Sequence, residues 1–131
     1  MLGLFKKKTP ETAPAGTYSF QAVGISFNCR FPSSRFKGRT RQFVLDKCRT
    51  GDPVSLKEYE WEGEPALAIM ADKYETDIGV VPADQVTRIR KLLQDFREVK
   101  GKIIDIRILN PNTRDYMKMK KIFDVELSYY E

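Results

Sequence analysis

Residues 122–130 read IFDVELSYY and alternate between apolar and charged or polar side chains. Every second position is apolar or aromatic: Phe123, Val125, Leu127 and Tyr129. A two-residue period is typical of a β-strand that has one buried face, because successive side chains of a strand point to opposite sides. This stretch therefore predicts a strand at the edge of a core, and it directs attention to similar stretches upstream.

Five further stretches have the character of short strands. They are residues 18–27, 53–61, 66–71, 77–81 and 103–109, and they are separated by turns rich in Gly, Pro, Asn and charged residues. In the last of them, Ile104, Ile106 and Ile108 are expected to share a face. Strands this short and this closely spaced favour a small barrel or a sandwich over a parallel sheet.

Two stretches have the period of a helix. In residues 39–50, Val44, Leu45 and Cys48 fall on one face, and Gly51 follows where a left-handed cap is expected. Pro82 is expected to open a second helix, which Gly101 would end. Its apolar face is formed by Val86, Ile89, Leu92, Leu93 and Phe96.

The chain of 131 residues is expected to form one domain, residues 18–131, preceded by a flexible basic tail, residues 1–17. The tail contains two prolines, two glycines and three lysines, and its few apolar residues are too few to form a core. No apolar run approaches the roughly 20 residues of a membrane-spanning helix, so we expect a cytoplasmic protein without a membrane span.

The chain contains no histidine and only two cysteines, Cys29 and Cys48. This excludes Ser–His and Cys–His catalysis and a structural zinc site, which needs four Cys or His ligands. The acids Glu58, Glu60, Glu62 and Glu64 are expected to line one exposed face of a strand, and no group of acids has the spacing of a calcium loop. We therefore expect no cofactor, no metal and no enzymatic activity.

Charge is unevenly distributed along a chain whose formal net charge is +5. Residues 28–49 hold seven Lys or Arg against one Asp, and residues 50–85 hold two Lys against nine acids. Within the basic stretch, residues 28–49, Arg35-Phe-Lys-Gly-Arg-Thr-Arg41 has four cations in seven residues with Phe36 interleaved and with Gly38, which suits contact with a phosphate backbone. The predicted nucleic-acid-binding residues are Phe27, Arg30, Arg35, Lys37, Arg39, Arg41, Tyr59 and Trp61.

The order of four short motifs resembles that of the HIRAN domain family over about residues 18–108. The motifs are Val23-Gly-Ile-Ser-Phe27, Gly51-Asp-Pro-Val54, Ala68-Ile-Met70 and Ile78-Gly-Val-Val-Pro82. The resemblance implies a mainly β fold with two helices (α+β), a small OB-like or SH3-like β-barrel of about six strands. Some members of the family hold the free 3′ end of single-stranded DNA, and bacterial or phage members are often short stand-alone chains.

The stretch Glu62–Leu67 departs from the DNA-binding members of that family. These members have an aromatic ring and asparagines there, whereas this chain has two glutamates, glycine and proline. The resemblance therefore implies the fold more directly than it implies recognition of a 3′ end.

Three functions remain open from the sequence. The first is a nucleic-acid-binding module for single-stranded or end-bearing DNA. The second is a protein-interaction module that uses the acidic block or associates with itself. The third, an enzyme, has no recognisable set of catalytic residues. A second basic stretch, residues 114–121, becomes relevant to binding if it lies beside residues 30–41.

Overall fold

The structure, a computed structural model, describes residues 13–109 and 120–131 together with Asn112 and Arg114. It contains six strands and two α-helices, which confirms the predicted α+β class. In chain order the elements are β1 (Gly16–Gln21), α1 (Arg41–Leu45), β2 (Pro53–Trp61), β3 (Glu64–Ala71), β4 (Thr76–Val80), α2 (Val86–Asp95), β5 (Glu98–Ile108) and β6 (Lys121–Tyr130). Two 3₁₀ turns, Ser34–Phe36 and Ala83–Gln85, precede the two helices.

All six strands belong to one antiparallel sheet with the order β1-β6-β5-β2-β3-β4. Strands β2 and β5 share only two residue pairs, Pro53 with Lys102 and Val54 with Gly101. The two edges of the sheet approach each other where Val23, just after β1, exchanges backbone hydrogen bonds of 3.0 and 2.9 Å with Val80 of β4. The sheet is thus curled like a barrel, and within the described residues it does not close into a continuous ladder.

The core lies inside this curl and draws on most elements. Phe123, Val125 and Leu127 of β6 are fully buried, so the alternation of residues 122–130 correctly predicted their face. Other fully buried side chains come from α1, β3, β4, α2 and β5, and include Leu45, Leu67, Ile69, Ile78, Ile89 and Ile103. Helix α1 supplies Val44 and Leu45, and Cys48 follows it into the core as predicted.

The predicted end of the second helix is wrong. Helix α2 ends at Asp95, and Gly101 lies inside β5. A Cβ atom at Gly101 would lie 2.9 Å from the carbonyl oxygen of Val54, so the glycine permits the close approach of β2 and β5. The sequence predicts a helix stop at Gly101, whereas in the structure this glycine lets two strands come close together.

Helix α1 is shorter than predicted. The Thr40 hydroxyl accepts a 3.1 Å hydrogen bond from the Phe43 N–H, which caps a helix of five residues. The chain then turns until Gly51, whose φ of +96° is the left-handed conformation that the sequence predicted there.

Strand β1 ends at Gln21, whereas the sequence predicts a strand over residues 18–27. Gly24 has φ +66°, and a Cβ atom there would lie 2.9 Å from a methyl group of Val80, so the chain bends where the two sheet edges meet. Because of this bend, Ile25 is buried while Phe27 is 66% exposed, although a continuous strand over residues 18–27 would place both on one face.

A β-bulge between Ile103 and Asp105 changes the alternation of β5. Ile103 is therefore fully buried, Ile104 and Ile106 are partly buried, and Ile108 is exposed. This corrects the single apolar face expected for Ile104, Ile106 and Ile108.

Strand β1 starts at Gly16, within the segment predicted as a tail. Residues 1–12 of that tail and most of the second basic stretch lie outside the described residues. In the part of the chain that the structure describes, no helix has both the length and the apolar character needed to cross a membrane.

Candidate nucleic-acid interface

Residues 27–41, at the start of the basic stretch, form a short ribbon whose two sides are paired by one antiparallel bridge, between Asn28 and Thr40. The Cys29 N–H donates a 2.9 Å hydrogen bond to the Arg39 carbonyl, and the Arg41 N–H donates a 3.0 Å bond to the Phe27 carbonyl. The 3₁₀ turn between the two sides buries Phe36 to 1% exposure. The cations of residues 30–39 therefore extend from an ordered backbone.

Two buried side chains at the start of β4 hold one side of this ribbon. The Asp77 carboxylate accepts backbone N–H bonds from Arg30, at 2.8 and 2.9 Å, and from Phe31, at 2.7 Å. The Thr76 hydroxyl accepts a 3.0 Å bond from the Ser33 N–H. Both side chains have no exposed surface, so the bonds are shielded from competing water.

Arg41 is a correction to the predicted set of phosphate contacts. It is 4% exposed, and its Nε atom donates a 2.7 Å bond to Oδ2 of Asp77. A second guanidinium nitrogen donates a 2.7 Å bond to the Gly24 carbonyl. A buried arginine requires such partners, and this one is directed into the protein instead of toward solvent.

The structure brings together three of the predicted binding residues, Arg30, Tyr59 and Trp61. The guanidinium carbon of Arg30 lies 5.0 Å from the ring centroid of Tyr59 and 5.5 Å from that of Trp61. Phe31 meets Tyr59 edge to face at 5.4 Å, and the Lys57 ammonium lies 5.2 Å from the Phe31 ring. We call Arg30, Phe31, Lys57, Tyr59 and Trp61 the aromatic–cation surface.

The alternation of β2 separates this surface from two of the nearby acids. Lys57, Tyr59 and Trp61 lie on one face of the strand, and Glu58 and Glu60 lie on the other. Glu58 forms an ion pair with Arg90 of α2 at 3.2 Å, so α2 is on the face opposite to Trp61.

The predicted single face of four glutamates is wrong, because a turn interrupts it. Glu62 and Gly63 form the turn between β2 and β3, with φ of +52° and +82°. Glu64 then lies directly across from Trp61 in the antiparallel register, and thus on the same side of the sheet. A ligand that binds at Trp61 therefore lies close to the negative charge of Glu64.

A second group of cations surrounds helix α1. Arg39 and Lys47 lie 4.5 and 5.0 Å from the ring centroid of Phe43, which is 38% exposed. Arg35 lies 5.0 Å from the ring centroid of Phe36. The predicted residues Phe27, Arg35, Lys37 and Arg39 are all exposed, and the ring contacts of Arg35 and Arg39 are with Phe36 and Phe43, not with the rings of the aromatic–cation surface.

The acidic block of residues 50–85 does not form one acidic face. Asp77 is buried against Arg41, and Glu58 is paired with Arg90. Asp52 accepts a 2.8 Å bond from Lys73, and this ammonium group holds the pKa of the Asp52 carboxyl below its usual value.

Neither cysteine is activated as a nucleophile. Burial, with a contribution from the charge of Asp77, raises the pKa of the Cys29 thiol to about 11. Burial, with a contribution from Asp52, raises the pKa of Cys48 to about 12.

Among the described residues, no group of three or more Cys, Asp and Glu side chains is arranged to hold a metal ion.

Sequence reasoning missed Phe31, Lys57 and Asp77. Lys57, Tyr59 and Trp61 occupy every second position of one strand, so the strand period was a signal that Lys57 shares the face of the two rings. Phe31 follows Arg30 in a loop, and an aromatic residue beside a cation outside a strand was a second signal. Asp77 stands alone before the apolar run Ile78–Val81, which is an unusual place for a carboxylate without a buried partner.

Comparison with known proteins does not assign this chain to a family. No protein-family model, no curated protein and no solved structure matches the chain.

Proposed function

We propose that this chain is a non-catalytic nucleic-acid-binding module that prefers single-stranded or end-bearing strands. The observation that supports the proposal most is the position of Arg30 over Tyr59 and Trp61, with Trp61 54% exposed. A cation beside accessible rings offers contacts to a phosphate and to the adjacent base at one place.

The two kinds of side chain have different tasks in this proposal. Arg30 and Lys57 neutralise phosphates, which is independent of base identity. Trp61 and Tyr59 stack on bases, and only a base outside a duplex offers its face to a protein ring. The preference for unpaired strands therefore comes from the rings, and most of the salt-dependent affinity comes from the cations.

In this proposal, the exposed cations around α1 supply additional phosphate contacts. Arg35, Lys37 and Arg39 belong to the same stretch of sequence as Arg30, and Lys47 shares the Phe43 ring with Arg39. Phe27 is the most exposed large apolar side chain among those described, and we assign it a supporting stacking role. The resemblance to the HIRAN family, some members of which hold the 3′ end of single-stranded DNA, agrees with this proposal but is not its main support.

The rival proposal, a protein-interaction module with an acidic contact face, receives less support. Three of the nine acids in residues 50–85 are engaged by Lys73, Arg90 and Arg41. Of the other acids, Glu62 lies in the β2–β3 turn and Glu64 lies across from Trp61, whereas Glu60 lies on the opposite face of β2.

Fluorescence anisotropy with short labelled oligonucleotides tests the proposal. The ligands are single-stranded DNA, single-stranded RNA and duplex DNA, each titrated at low and moderate salt. We expect single strands to bind more tightly than the duplex, with affinity that falls steeply as salt increases. Absence of binding to every oligonucleotide at low salt contradicts the proposal.

Two matched variants locate the site. Arg30→Ala should lower the slope of log affinity against log salt by about 0.7 for a single strand, the value for one phosphate contact. Lys91→Ala removes an exposed cation of α2, on the opposite side of β2, and should leave the slope unchanged. Equal slopes for the two variants would show that the site is elsewhere.

A further inference from the structure

The backbone of Arg30 and Phe31 is held by a side chain and not by a neighbouring strand. Three donors converge on the two oxygens of Asp77: the N–H of Arg30, the N–H of Phe31 and the Nε–H of Arg41. The Asp77 side chain has no exposed surface. Arg41 in turn donates to the Gly24 carbonyl, so the same pair also joins the bend at Gly24 to β4.

We infer that Asp77, together with Arg41, is the positioning residue of the aromatic–cation surface. It fixes the backbone of Arg30 and Phe31, so that the guanidinium and the ring stand over Tyr59 before any ligand is present. Asp77 is buried and so touches no ligand. The inference rests on the proposed function for its effect on binding, whereas its effect on the free protein is independent of that function.

The chemistry of the carboxylate explains why an amide cannot replace it. A carboxylate offers acceptors on both oxygens, whereas an amide has one acceptor oxygen and one N–H₂ group that is itself a donor. Asp77→Asn therefore directs a donor against one of the three N–H groups and leaves the buried Arg41 without a counter-charge. We expect the Arg30–Phe31 backbone to loosen as a result.

Trp61 reports this loosening without any ligand. It is the only tryptophan of the chain, and the Arg30 guanidinium lies 5.5 Å from its ring centroid. In Asp77→Asn, acrylamide should quench Trp61 emission more strongly than in the wild type, because Arg30 no longer covers the ring. The matched control is Asp52→Asn, which breaks a carboxylate bonded to Lys73 and to the Arg49 N–H. We expect quenching in this control to equal that of the wild type.

Two further measurements keep the inference testable if Asp77→Asn is unstable. The double variant Arg41→Gln/Asp77→Asn removes both buried charges together and should show the same increase in quenching. In the wild-type protein, the amide protons of Arg30 and Phe31 should exchange slowly with solvent despite their place in a loop, because a buried acceptor holds them. Oligonucleotide affinity of folded Asp77 variants should fall about tenfold, because ordering two side chains then opposes binding.

The outcomes separate this inference from the proposed function. Rapid exchange of the Arg30 and Phe31 amides in the wild type overturns the inference, and so does unchanged Trp61 quenching in the folded Asp77 variants. Absence of oligonucleotide binding by the wild type overturns the proposed function alone, since the exchange and quenching results still decide whether Asp77 positions the surface.

Discussion

The side-chain amide of Gln42 pairs with the backbone of Lys121 as a neighbouring strand would. Its Nε2 donates a 2.8 Å bond to the Lys121 carbonyl, and its Oε1 accepts a 2.8 Å bond from the Lys121 N–H. The Lys121 ammonium also lies 3.0 Å from Asp46, next to the end of α1. Lys121, the first residue of β6 and the last residue of the second basic stretch, is thus fixed beside α1, which lies within the first basic stretch, residues 28–49.

Gln42→Ala should lower the free energy of unfolding by about 1–3 kcal/mol, because the Lys121 backbone groups lose partners in a partly buried place. Urea denaturation measures this change. Gln94→Ala, at an exposed position of α2, is the control and should change the free energy by less than about 0.5 kcal/mol. Equal effects of the two substitutions would contradict the role given to Gln42.

Arg39 and Arg41 are two residues apart and should behave differently. Arg41→Ala leaves Asp77 as an unpaired buried charge and should destabilise the fold by about 3–5 kcal/mol in a urea melt. Arg39→Ala should leave stability nearly unchanged and lower the salt slope of oligonucleotide binding by about 0.7. Similar stability of both variants would argue against the buried pair.

Gly101→Ala should destabilise the protein by about 1–3 kcal/mol, because the added methyl group overlaps Val54 where β2 meets β5. A thermal melt measures the effect. Lys100→Ala at the adjacent exposed position of β5 is the control for a change in the same strand, and it should melt close to the wild type. A Gly101→Ala protein as stable as this control would mean that β2 and β5 are not held this closely.

The free energy of unfolding should decrease at alkaline pH, because a buried thiol keeps its proton in the folded state. Burial raises the pKa of Cys29 from 9.0 to about 11, so the folded state binds the thiol proton more tightly than the unfolded state does. This contribution is fully present below pH 9 and is lost as pH rises toward 11. Urea denaturation of the wild type and of Cys29→Ala between these values measures it. A decline of the same size in both proteins would contradict the assignment to Cys29.

Sequence periodicity predicted the elements whose burial follows a simple period. The alternation in β6 correctly predicted the buried face of Phe123, Val125 and Leu127. The spacing in α2 correctly predicted that Val86 and Ile89 face the core. Two of the errors lie at glycines, because a glycine permits several backbone roles. Gly101 is predicted to end a helix and lies in a strand, and Gly24 lies at the bend after β1, within the stretch predicted to be one continuous strand.

The candidate site was predictable only where its residues are close in sequence. The sequence predicts Tyr59 and Trp61, which lie in one strand, as nucleic-acid-binding residues, and it predicts Arg30 from its place in the basic stretch. The burial of Arg41 depends on Asp77, 36 positions away, and no local pattern specifies such a contact. For the same reason, the contact of Phe31 with Tyr59 became apparent only in the fold.

The emission of Trp61 during titration with an oligonucleotide tests the central proposal most directly. A base that stacks on the ring alters the emission of the only tryptophan in the chain. At low salt, we predict a saturable decrease in emission with single-stranded DNA and little change with a blunt duplex of the same sequence. Unchanged emission throughout the single-strand titration would contradict the proposal that Trp61 and Arg30 form the binding surface.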